Sequence, residues 1–128
     1  MDWHNSKVVN YSFDESVTKV TEELNKEGFG ILTEIDVKDT LKKKLDVDFR
    51  KYKILGACNP PFAYKALQIE EALGVLLPCN VVVQEKSDNK VYISFINPMA
   101  SMMHVGNPSL EEIANEVSEK LKKVLKSI

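Results

Sequence analysis

Two cysteines, Cys58 and Cys79, each followed by asparagine, and the segment Met99-Ala100-Ser101-Met102-Met103-His104 hold most of the chain's soft-ligand chemistry. Thiolate, thioether and imidazole are the groups that bind Cu(I) or Zn, so Cys58, Cys79, Met103 and His104 form a candidate metal set. Cys58 also stands directly before Asn59-Pro60, an N-cap and N1 pair. A thiol at a helix N-terminus is acidified by the partial positive charge there, which makes Cys58 a candidate nucleophile with His104 as base, or a redox partner of Cys79. Cys79 follows Cys58 by 21 residues, a spacing that matches neither a CxxC motif nor a standard ligand pattern. A packing role, with both thiols as small buried hydrophobes and the methionines as adaptable filling, accounts for the same residues.

These groups act together only if the fold gathers them. Residues 7–12 read as a strand, and Ser12 with Glu15 has capping-box spacing for a helix starting at Phe13. Phe13, Val17, Val20 and Leu24 form one apolar stripe, and Gly28 suits the left-handed residue after a helix. From Phe29 to Ile35 the period becomes two, with Phe29, Ile31, Thr33 and Ile35 on one side. Asp36 caps a short helix carrying Val37, Leu41 and Leu45. A third strand spans 52–58, and a helix runs from Pro60 to about Ala72, with Phe62, Ala66 and Ile69 on one side and Gly74 ending or breaking it. Residues 79–85 and 91–97 read as a hairpin. Asn107-Pro108 opens a long amphipathic helix with Leu110, Ile113, Val117, Leu121, Val124 and Ile128 on its stripe.

The resulting pattern is α+β: a two-layer structure with an antiparallel sheet and two long helices on one face. Antiparallel pairing of the third and fourth strands brings the exit of one, Cys58, near the entrance of the other, Cys79. The hairpin then returns Asn97-Pro98 to the same end. Residues 56–61, 77–80 and 97–104 therefore converge at one end of the sheet, which is where a site is expected.

Composition narrows the function classes. A chain of 128 residues is one domain's worth, leaving no room for separate cofactor and substrate domains. A net charge of −2 lacks the uniformly basic footprint of a non-specific nucleic-acid binder. Residues 38–53 are the local exception, with seven basic against three acidic side chains, a pattern that a solvated helix face also produces. The apolar run 74–83 is too short to span a membrane, and residues 1–5 show no signal-peptide pattern, so a cytoplasmic location is expected.

The runs Glu27-Gly28-Phe29-Gly30-Ile31-Leu32-Thr33-Glu34-Ile35-Asp36, Tyr52-Lys53-Ile54-Leu55-Gly56-Ala57-Cys58-Asn59-Pro60 and Gly74-Val75-Leu76-Leu77-Pro78-Cys79-Asn80-Val81-Val82-Val83 resemble the motifs of the bacterial and archaeal family called domain of unknown function 302. The resemblance implies a β-α-β(4)-α order, a curved antiparallel sheet like that of the TATA-binding protein, and a homodimer. It marks the motif residues Gly56, Cys58, Asn59, Pro60, Pro78, Cys79 and Asn80 as the candidate ligand-binding residues, attaches no activity to them, and fold likeness to a DNA-binding protein does not imply DNA binding. The expectation is a homodimeric domain holding a small ligand or soft metal at one sheet end, with a thiol enzyme or a ligand-free interaction module as the alternatives.

Overall fold

The computed structural model describes residues 2–128. Its elements are β1 His4–Val9, α1 Phe13–Lys26, β2 Gly30–Asp36, α2 Val37–Leu45, β3 Tyr52–Cys58, α3 Pro60–Ile69, β4 Cys79–Glu85, β5 Val91–Ile96, α4 Pro98–Met102 and α5 Glu111–Ser127, with short 3-10 turns between several of them. The five strands form one curved antiparallel sheet in the order β1-β5-β4-β3-β2. The α+β class is as read from the periodicity.

Alternation along the central strands builds the core. Leu55 and Ala57 of β3, Val81 and Val83 of β4, and Val91, Ile93 and Phe95 of β5 are buried against Val20 and Leu24 of α1 and Val117, Leu121 and Val124 of α5. Burying a side chain such as Phe95 or Leu55 contributes about 1.5 to 3 kcal/mol. Both long helices lie on this face, and neither covers the other. A smaller cluster, Ala66, Leu73, Met102, Leu110 and Ala114, extends the packing beyond the sheet end.

The local signals act largely as expected. Ser12 Oγ accepts from Glu15 N at 3.1 Å, and Asp36 Oδ1 accepts from Asp39 N at 3.0 Å. Gly28 takes a positive φ of 84° after α1. Lys123 Nζ pairs with Glu27 at 2.9 Å and ties the end of α1 to α5.

Four details differ. β1 spans His4–Val9 rather than residues 7–12, because its ladder runs from the pair His4 with Ile96 to the pair Val9 with Val91. The helix after Asn59 ends at Ile69, and the chain continues as a 3-10 turn over Glu71–Leu76 that passes through Gly74. The segment after Asn97-Pro98, to which no element is assigned from the sequence, is the helix α4, capped by Asn97 Oδ1 accepting from Met99 N at 3.1 Å. The fourth is a bulge in β2: Ile31 pairs with Ala57 but Thr33 pairs with Gly56, leaving Leu32 as the extra residue. Phe29 and Ile31 consequently meet the core, whereas Thr33 and Ile35 emerge on the opposite face.

Gly56 is buried where that bulge meets the strand. A Cβ there would lie 2.7 Å from Pro78 Cγ and still closer to Thr33 Oγ1. Gly56→Ala should therefore displace Pro78 and Thr33 and lower stability by about 1 to 3 kcal/mol, read as a reduced denaturation midpoint with an unchanged m-value.

Candidate functional site

The β3–β4 ladder sets Ala57 opposite Cys79 and Gly56 opposite Asn80. Beyond it the chain leaves the sheet on both sides, into α3 after Cys58 and from Leu77-Pro78 before Cys79. Residues of α3, α4 and α5 face these strand ends without filling the space between. A cavity of about 330 Å³ remains.

Its walls are apolar. Phe29 and Ala57 come from the sheet side, Phe62 and Ala66 from α3, Leu77 from the entry to β4, and Met102, Ile113 and Val117 from α4 and α5. Ala63 and Leu67 of α3, with Leu32, Gly74, Cys58, Asn59, Pro78 and Cys79, complete the lining. No Asp, Glu, Lys, Arg or His is among the residues around it.

Asn59 is 9% exposed and does not cap α3 with its side chain. Its Nδ2 instead donates to the Glu27 carbonyl at 3.3 Å, beside Gly28. The Asn59-Pro60 signature thus starts the helix as expected, through the fixed φ of proline, while the asparagine ties the end of α1 to the exit of β3. Burial pushes the Cys79 thiol from its ordinary 9.0 up to about 11, and the neighbouring Cys58 adds to the rise. A thiolate at Cys79 is strongly disfavoured. The two cysteines are free thiols.

Of the seven residues expected to bind ligand, Cys58, Asn59, Pro78 and Cys79 meet at the cavity. Gly56 serves the contact with Thr33 and Pro78, Pro60 is exposed at the start of α3, and Asn80 is exposed beside Gly56 on the opposite sheet face. Met103 and His104 are exposed on a 3-10 turn and do not line the cavity; the methionine that does is Met102. Met103 borders a separate hollow of about 400 Å³ with Met99, Asn107 and Leu110. Among the described residues, no cluster of three or more His, Cys, Asp or Glu is arranged to hold a metal ion. The remaining walls escaped the sequence reading because they are ordinary apolar residues. Asn97-Pro98 was the available signal for α4, identical in form to Asn59-Pro60 and Asn107-Pro108.

A family model, Domain of unknown function DUF302, matches residues 5–128. The chain belongs to the DUF302 family. The crystal structure of an uncharacterized conserved DUF302 protein from Bacillus stearothermophilus is similar over 98% of both chains, with 29% sequence identity and a TM-score of 0.92. No curated protein matches. No helix of this DUF302 chain, among the described residues, is long and apolar enough to cross a membrane.

The raised Cys79 pKa fixes a pH dependence. The unfolded thiol ionises near 9.0 and the folded one near 11, so the unfolded state binds fewer protons between those values and stability falls as pH rises through them. The loss amounts to about 2 kcal/mol. Denaturant unfolding at pH 8 and pH 10.5 should show this drop in the native sequence and a smaller one in Cys79→Ala.

Proposed function

We propose that this DUF302 protein is a homodimeric binding protein for a small, uncharged, largely apolar molecule held in the cavity between Cys58 and Cys79. The observation that carries this reading is the lining itself: aromatic and aliphatic walls with one buried asparagine and two thiols as the polar groups. A volume of about 330 Å³ falls within the range of small-molecule sites. The absence of charged groups from the residues around the cavity favours a neutral ligand, because an ion there would lose its hydration without a partner. Met102 supplies an adaptable wall.

The metal version of the site is less well supported, since Met103 and His104 stand outside the cavity and Cys79 resists ionisation. A thiol enzyme using Cys58 would likewise need a base other than His104. The dimer is supported by the sheet face that the long helices leave free. Ile35, Ile54 and Val82 stand in one row across it, and Val8 lies near its far edge. Val8 and Ile35 are each 46% exposed, an apolar surface of the kind a second copy would cover.

A neutral fluorescent probe such as N-phenyl-1-naphthylamine should bind with enhanced emission, and Ala63→Phe, which fills the cavity from α3, should weaken that binding about tenfold or more with the circular dichroism unchanged. Equal probe binding by the two proteins would refute the cavity as the site. Sedimentation should give twice the 14.5 kDa chain mass, and Val82→Lys should reduce it to one. A monomeric native protein would remove the dimer from the reading.

A further inference from the structure

The excess of positive charge over residues 38–53 does not form one helix face. Lys42 pairs with Asp46 at 3.0 Å and Asp48 at 3.5 Å, Lys43 with Asp39 at 2.9 Å and Lys53 with Glu34 at 2.8 Å. Lys38, Arg50 and Lys51 are not so neutralised. They meet Lys86 and Ser87 of the β4–β5 hairpin around an open hollow of about 580 Å³, at the end of the strands opposite the apolar cavity. Among the described residues none of these four cations forms an ion pair. One carboxylate, that of Glu85, borders the same hollow.

Arg50 is the single arginine of the chain, and it is held in place. Its Nε donates to Gln84 Oε1 at 2.9 Å. Its Cζ lies 4.4 Å from the centroid of the Phe49 ring and 5.5 Å from that of Tyr52. With Nε engaged and the guanidinium plane stacked, the two terminal nitrogens keep their donors for another acceptor. Lys86 is oriented in the same way, its Nζ 4.0 Å from the centroid of Tyr92. Lys38 Nζ donates to the Phe49 carbonyl at 2.7 Å, which braces the segment that carries Arg50.

We propose that this hollow binds a diphosphate group, either free or carried by a small soluble molecule, with Arg50 as its bidentate recognition element and Lys51 and Lys86 as flanking charges. A stacked guanidinium with free terminal donors matches phosphate oxygens two at a time, which an ammonium does not. Four cations against one carboxylate call for more than a single negative charge, and the hollow has room for two phosphoryl groups. The site is independent of the apolar cavity and of any ligand there.

Calorimetric titration of the full chain with inorganic pyrophosphate tests the assignment. Binding with one site per chain is expected, with orthophosphate weaker by about tenfold, and a nucleoside diphosphate binding at least as well as pyrophosphate would identify a carried group. Arg50→Lys keeps the charge but removes the fork and the stack, and should weaken pyrophosphate about tenfold or more, whereas Lys65→Gln, on the exposed side of α3, should leave it within about twofold. Arg50 is exposed, and unchanged thermal midpoints would show that both variants fold. No binding up to about 10 mM, or affinities of Arg50→Lys and the native chain within about twofold, would overturn the proposal. Binding of a single-stranded oligonucleotide without binding of pyrophosphate would overturn it too, in favour of polyanion docking.

Discussion

The close approach at Gly56 is the constraint on which the rest of the molecule depends. Thr33 from β2 and Pro78 from the entry to β4 both press on the β3 backbone at a point where any side chain would hold them off. That contact fixes the bulge on one flank and the descent into β4 on the other. Because Ala57 and Cys79 are the next pair along the ladder, it also sets where the sheet ends and where the layers part. The apolar cavity is the space this parting leaves, so a glycine that never touches the cavity governs its shape.

The same strands carry two ends of opposite character. Toward Cys58 and Cys79 the lining is apolar and uncharged; toward Lys51 and Glu85 it is open and cationic. Antiparallel pairing makes the contrast possible, since the exit of one strand and the entrance of the next share an end. Function in small α+β domains is placed on such ends, where side chains are held by rigid strands but not consumed by packing.

Much of this was legible in the sequence. Capping residues Ser12 and Asp36, the left-handed Gly28 and the stripes of the two long helices are local signals, and local chemistry decides them. The convergence of Cys58 and Cys79 followed from strand order. What stayed hidden is set by tertiary contact. Nothing in the alternation of Phe29 to Ile35 marks Leu32 as an extra residue, because the bulge answers to β3 and not to β2 itself. The cavity walls, Phe62, Leu77, Met102 and Val117, are ordinary core types whose failure to touch is a property of three dimensions. Charge counting found the excess near residues 38–53, but could not tell Lys42, which has carboxylate partners, from Lys51, which has none among the described residues.

The sheet order has a further consequence, for how the chain becomes a structure. β1 lies at an edge beside β5, so it has no strand partner until residues 91–96 are in place. Lys7 of that strand then donates to the Leu125 carbonyl at 3.3 Å and the Ile128 carbonyl at 2.9 Å, at the last turn of α5. Two segments far apart in sequence, β1 and the end of α5, are thus completed by each other. Pairing of such high sequence separation is slow to form, because the long segment between the two strands must be closed into a loop before the contact rewards it.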